Sequence, residues 1–129
     1  MTNDNYISGQ VVDSAIAIHT VLGPGMLESA YEAALDHELT GRGLLVERQV
    51  AMPLIYKGLR LERGYRLDML VGTRVIVEVK CIGAIHDVHV KQLLTYLRLS
   101  DLRLGLILNF RTRLMKDGIK RVVDFDKPG

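Results

Sequence analysis

The sequence predicts one α/β layer domain built on a mixed β-sheet. Three observations carry that expectation. Two amphipathic helical segments come first. Short β-rich runs follow, separated by glycine and proline turns. A further helix then leads into a nearly continuous apolar run. At 129 residues the chain suits a single domain over positions 1–129.

Ile7 to Leu22 reads as a helix, because Ile7, Val11, Val12, Ala15, Ile16 and His19 form one stripe at three- and four-residue spacing. Leu22-Gly23-Pro24-Gly25 ends it. The second helix runs from about Met26 to Gly41. Leu27, Ala30, Tyr31, Ala34, Leu35 and Leu39 lie on one face, with Glu28, Glu32, Asp36 and Glu38 mostly on others. Five strands are expected at Leu44–Val50, Leu54–Tyr56, Leu59–Glu62, Tyr65–Val71 and Val75–Lys80. Pro53, Lys57-Gly58, Arg63-Gly64 and Gly72-Thr73 mark the turns. A third helix is expected over about Val88 to Leu99, with Val90, Leu93, Leu94 and Leu97 inward. Leu102–Phe110 suits a strand buried on both faces, and Val122-Val123 a short final one.

Composition excludes several classes. Hydrophobic residues make up 48% and charged residues 25%, which is a globular rather than a disordered balance. A lone cysteine, Cys81, permits no internal disulfide, and one Cys with four scattered His makes no Cys-rich zinc site. The polar start Met-Thr-Asn-Asp-Asn is no signal peptide, and no apolar run is long enough to cross a membrane. The cytoplasm is the expected location. The net charge is only +2, but it is unevenly spread. Residues 1–41 hold six acids and no Lys or Arg, whereas residues 42–129 hold all 17 Lys and Arg with nine acids. Such asymmetry fits either a polyanionic partner or the ordinary solvated surface of a helix and a sheet.

The chemistry-bearing segment is Asp68-x9-Glu78-Val79-Lys80. Glu78 and Lys80, two apart on a strand, share a face; Val75, Val77 and Val79 take the other, buried one. A three-residue loop, Gly72-Thr73-Arg74, pairs Val71 with Val75 and hence Asp68 with Glu78. It also aligns Leu67, Met69 and Val71 with Val79, Val77 and Val75 as an apolar face. A two-residue loop would mix the faces, so burial selects the longer one. Two adjacent carboxylates repel unless neutralised. A divalent cation with oxygen ligands does this, and a lysine two residues on can face a phosphate and stabilise developing charge. That set suits phosphodiester hydrolysis; it equally suits a cross-strand ion-pair cluster on an exposed sheet.

Gly25-Met26-Leu27-Glu28-Ser29-Ala30-Tyr31 resembles the signature of the GxxExxY family, placed in the PD-(D/E)XK nuclease superfamily. The likeness runs from about Ile7 to Val123. It takes in His19 before Leu22-Gly23-Pro24-Gly25, the Glu47-Arg48-Gln49-Val50 strand and Gly64-Tyr65-Arg66-Leu67-Asp68. It continues through Ile76-Val77-Glu78-Val79-Lys80, His89-x2-Gln92-Leu93-Leu94-Thr95-Tyr96-Leu97 and Gly105-Leu106-Ile107-Leu108-Asn109-Phe110.

The resemblance implies a restriction-endonuclease-like core, a central mixed β-sheet flanked by helices, and a role for each matching residue. Asp68 and Glu78 resemble metal-binding acids, with the Val79 carbonyl a frequent extra ligand. Glu28 resembles the additional acid of the metal shell, Lys80 the catalytic lysine, and Gln92 and Tyr96 the residues beside the active site. On their own, Glu28 reads as an acid favoured at a helix start, and Gln92 and Tyr96 as a surface glutamine and a half-buried tyrosine on one helix face. His19 reads as a satisfied core histidine or as a group orienting Glu28, and His89 as a residue near the phosphate; both are accessory candidates. Cys81 reads as a small buried residue.

The expected activity is a Mg²⁺- or Mn²⁺-dependent nuclease acting on nucleic acid, DNA first. Arg66, Lys91 and Arg111 are phosphate-binding candidates within a wider basic set that includes Arg60, Arg63, Arg113 and Lys116. The alternative is a catalytically silent nucleic-acid-binding or protein-interaction module on the same fold. No membrane partner is expected, and a homodimer stays open.

Overall fold

The computed structural model describes residues 3–127. Met1 and Thr2, part of the polar N-terminal stretch, lie outside the described residues. Helix α1 (Asp4–Leu22) starts at Asn3, whose side chain accepts the Tyr6 N–H at 2.8 Å. Helix α2 (Glu28–Gly41) follows the Gly-Pro-Gly turn. Strands β1 (Val46–Tyr56), β2 (Leu59–Val71) and β3 (Val75–Lys80) follow, each antiparallel to the next. Helix α3 (Asp87–Ser100) crosses to β4 (Leu104–Asn109), parallel to β3. A 3₁₀ turn at Met115–Gly118 precedes β5 (Ile119–Val123), antiparallel to β4. The sheet order is β1-β2-β3-β4-β5, an α/β architecture with a mixed sheet. Among the described residues no helix is long and apolar enough to cross a membrane.

The sheet is covered on both faces. Ile7, Val11, Ala15 and Ile18 of α1 and Tyr31, Leu35 and Leu39 of α2 pack on Met69, Val71, Val75, Val77, Val79, Leu104, Leu106 and Leu108. Leu93 and Leu97 of α3 pack on Leu67, Ile76, Ile107 and Val122 from the other side. Burial on both faces explains why β4 is buried throughout, as its unbroken apolar run requires.

Several expectations are corrected. In α1 the stripe is completed by Ile18, while Ile16 is exposed; steps 7, 11, 15 and 18 track the helical pitch more closely. Leu27 precedes α2 as its exposed N-cap, and Leu94 is exposed on α3. The four short runs before β3 are two long strands. Pro53 lies in the outermost strand of the sheet, where a missing N–H costs no ladder bond, and an irregular register spans Met52 to Leu54. Gly64 there lets Leu54 approach closely; a Cβ on it would run into the Leu54 Cβ.

The three-residue loop is observed: Val71 pairs with Val75, Leu70 with Ile76 and Met69 with Val77. Gly72 and Thr73 both take left-handed conformations there, with φ of 61° and 58°. Leu67 departs from expectation. It packs toward α3 rather than beside Val79, because side-chain alternation reverses where Gln49 faces Asp68. Val46 and Arg48 face α2, whereas Val50 and Met52 face α3; on β2, Met69 and Val71 face α2 whereas Leu67 and Tyr65 face α3. Gln49 absorbs this reversal at φ 52°, a backbone region that side chains seldom occupy.

Gly64→Ala is expected to destabilise by about 1–3 kcal/mol, because Leu54 cannot yield at its Cβ. Gly9→Ala, in an open stretch of α1, is expected to stabilise by about 0.5–1 kcal/mol. Urea midpoints moving in opposite directions would check both.

Candidate active site

The ladder between β2 and β3 stops at Met69 and Val77. At the next position out, Asp68 and Glu78 use side chains where backbone bonds would otherwise continue. The Asp68 N–H donates to Glu78 Oε2 at 2.9 Å, and the Val79 N–H donates to Asp68 Oδ2 at 3.0 Å. The strands part here, and the two carboxylates lie across the opening.

Glu78 is only 5% exposed. Burial, followed by the charge of Asp68, pushes its carboxyl up to about 7. Burial likewise raises Asp68; the Val79 N–H, Lys80 and Arg66 oppose that rise, and Glu32 adds to it. Ionising both acids is therefore costly, because the surrounding protein compensates the charge incompletely. Lys80 follows Glu78 on the same strand, and its charge reaches both carboxylates. Among the described residues no ion pair joins Lys80 to Asp68 or Glu78. The side chains are near neighbours, yet they do not form the cross-strand ion-pair cluster that the spacing also allowed.

The α2 side of the opening is a cleft of about 600 Å³ whose lining includes Glu28, Glu32, Gln49, Arg66, Asp68 and Cys81. Glu28 accepts the Cys81 N–H at 2.9 Å, one residue beyond Lys80. Tyr31 sets that position. Its ring stacks on Phe110 at 4.2 Å, and its hydroxyl donates to the Gly23 carbonyl and accepts the Met26 N–H. The tight Gly-Pro-Gly turn is thereby tied to the start of α2. Asn109, 1% exposed, fixes the chain just beyond β3: its amide bonds both the N–H and the C=O of Ile82.

Glu32 carries a correction. It reads as a polar helix position off the apolar face, yet it is 6% exposed. Gln49 donates to both its oxygens at 3.1 and 3.0 Å, and Arg48 to one at 3.1 Å. The reversal of alternation at Gln49 turns both donors toward α2. The signal available in the sequence was an i, i+4 pair of acids, Glu28 and Glu32, beside a strand bearing Arg48-Gln49.

The remaining candidates divide. Tyr96 stacks on Tyr65 at 5.0 Å; burial raises its hydroxyl first, then the charges of Glu78 and Asp68, so it lies within reach of both carboxylates. The Tyr65 hydroxyl is buried without a partner among the described residues. Gln92 is exposed, one helical turn before Tyr96 on α3. Arg66 lines the cleft. Arg111 is exposed, and its charge reaches Cys81; Lys91 is an exposed residue of α3. Cys81 is half-buried, and its thiol is raised by burial and by Glu28. His19 is buried, bonds the Thr112 carbonyl at 2.8 Å and stands 6.5 Å from the Phe110 ring, so it braces the core and does not orient Glu28. His89 accepts the His86 N–H at 2.9 Å and fixes the start of α3.

Among the described residues no three His, Cys, Asp or Glu side chains form a ready cage for a metal. Asp68 and Glu78 with the Val79 carbonyl are nevertheless an all-oxygen set without imidazole or thiolate. Such a set suits a hard cation that keeps part of its water, Mg²⁺ or Mn²⁺, better than zinc, which favours imidazole and thiolate.

A mixed sheet that opens at two carboxylates, with a lysine two residues on, defines a nuclease-like class of protein. The family model of the PD-(D/E)XK nuclease superfamily matches residues 5–122, and the chain belongs to that superfamily. Neither the curated proteins nor the solved structures return a match.

The raised Glu78 carboxyl has a consequence for the metal-free protein. Between its ordinary 4.5 and about 7, the folded state keeps a proton that the unfolded state has lost. Stability is therefore expected to fall as pH rises through that window, by an amount on the order of 3 kcal/mol, and to level off above it. Chemical unfolding between pH 4.5 and 8 in EDTA measures this, and Glu78→Gln should flatten the slope.

Proposed function

We propose that this chain is a divalent-metal-dependent nuclease that hydrolyses phosphodiester bonds in DNA. The observation that carries the reading is the meeting of Asp68 and Glu78 at the parted strands, with Lys80 beside them. Within the superfamily, we place it among the GxxExxY proteins. Gly25, Glu28 and Tyr31 act together here: Tyr31 ties down the turn, and Glu28 reaches the strand that bears Lys80.

Asp68, Glu78 and the Val79 carbonyl would hold Mg²⁺ or Mn²⁺, with Glu28 completing the acidic wall. When bound, such an ion supplies a water of lowered pKa and offsets negative charge on the phosphate. Lys80 presents its ammonium to the phosphate oxygens and stabilises the charge that develops in the transition state. It also orients the attacking water. Tyr96 and Gln92 border the reacting group from α3. Arg66, Arg111 and Lys91 supply phosphate contacts that set the register of the backbone without reading its sequence. We read residues 1–129 as one nuclease domain.

A second reading has its own support. Glu28, Asp68 and Glu78 each accept a backbone N–H, as purely structural acids would. On that reading the fold binds nucleic acid or protein without turnover.

Plasmid and oligonucleotide cleavage separates the two. Wild type with Mg²⁺ or Mn²⁺ is expected to nick or cut DNA, and EDTA to abolish the activity. Lys80→Ala and Glu78→Ala should each lower the rate by at least about a hundredfold. Equal activity in all three proteins would refute the nuclease reading.

A further inference from the structure

β1 and β2 have 11 and 13 residues, whereas β3 and β4 have six each. β3 pairs with β2 only through Met69, Leu70 and Val71. The stretch from Ala51 to Arg66 is therefore a two-stranded arm, and among the described residues neither long edge carries a further strand. It leaves the body at the opening where Asp68 and Glu78 meet.

The arm has two unlike faces. Counted along β1, Ala51 and Ile55 share a face, and so do their partners Arg66 and Arg60. Arg66 lines the cleft, so this face continues the cleft wall outward. The other face carries Leu54, Tyr56, Leu59 and Leu61, and the last three are well exposed. Lys57 sits at the tip, its ammonium 5.4 Å from the centre of the Tyr56 ring. Residues 51–66 hold four cations, Lys57, Arg60, Arg63 and Arg66, against the single acid Glu62.

Charge decides the occupant. Two such arms paired symmetrically would set like charges against each other, which argues against a second copy. A polyanion meets the same surface favourably. The major groove of B-form DNA admits a two-stranded β-ribbon, whereas the deep, narrow major groove of an A-form duplex does not. On the arginine face the exposed Ile55 can meet thymine methyl groups while Arg60 and Arg66 meet phosphates.

We propose that the β1–β2 arm lies along the major groove of a B-form DNA duplex whose backbone enters the Asp68–Glu78 cleft. The inference rests on the nuclease reading and narrows its substrate to duplex DNA that continues past the cut. From the Ala51–Arg66 pair to the Tyr56–Leu59 pair the arm advances five positions of β1, roughly 17 Å at about 3.3 Å per residue, or about five base pairs on one side of the cleavage point. Arg60 is held at 2.6 Å by Glu62, and both side chains are exposed, so Glu62 acts as a weak brake on phosphate contact.

The test is equilibrium binding in EDTA, read by fluorescence anisotropy on a 24-base-pair DNA duplex at several salt concentrations. Arg60→Glu is expected to weaken binding about tenfold and to reduce the salt slope by about 1. Glu62→Gln is expected to tighten binding severalfold, a gain that damage to the fold would not produce. A six-base-pair duplex should bind far more weakly than the long one. Wild-type binding that neither variant alters would overturn the arm inference and leave the nuclease reading standing. No wild-type binding to any DNA would overturn the substrate reading itself. An RNA duplex that competes equally well, or a dimer that Arg60→Glu disperses with DNA affinity unchanged, would also overturn the proposal.

Discussion

Everything at the candidate site depends on the parting of β2 from β3. A sheet strand normally spends its backbone N–H groups on its neighbour. Here Asp68 and Glu78 take over that task with their side chains, one bond in each direction. The exchange satisfies the backbone and draws two carboxylates into a buried opening. Loss of water raises both, and the charge of Asp68 raises Glu78 further. A cation placed there would relieve a cost already built into the fold.

The rest of the molecule holds that opening in place. Both faces of the central strands are buried, so β3 and β4 cannot shift register without turning apolar residues into water. The Phe110 N–H bonds the Lys80 carbonyl at 2.9 Å, and Asn109 clasps Ile82, so the end of β3 is fixed beside β4. Tyr31, packed on Phe110, fixes the turn that delivers Glu28. The stack of Tyr31 on Phe110, just beyond β4, thus ties the start of α2 to the end of the strand that bears Lys80. The acidic first third of the chain contributes Glu28 and Glu32 to the cleft, while the basic remainder contributes Arg66 and the projecting arm.

Much of this was legible in the residues alone. The helices, the mixed sheet and the register of β2 against β3 follow from periodicity, because a slip by one residue would have mixed apolar and charged faces. The meeting of Asp68 with Glu78 follows from that register. What periodicity hid is the reversal at Gln49 and Asp68. A glutamine at positive φ has no sequence signature as a glycine would, so simple alternation places Leu67 in the wrong layer. For the same reason Glu32 read as a solvated acid although Arg48 and Gln49 turn in to cover it. The joining of the four short runs into one long hairpin was also hidden. Pro53 and Gly64 punctuate turns and edge-strand irregularities alike, and only the packing of Leu54 against Gly64 distinguishes them.

The central claim is that Asp68 and Glu78 form a site for a hard divalent cation. Anomalous diffraction from a crystal soaked in Mn²⁺ addresses it most directly. The account predicts a single strong peak bonded to both carboxylates and near the Val79 carbonyl, with Lys80 turned toward open cleft. A crystal without a peak there, with Lys80 drawn in to bridge the two acids, would contradict it.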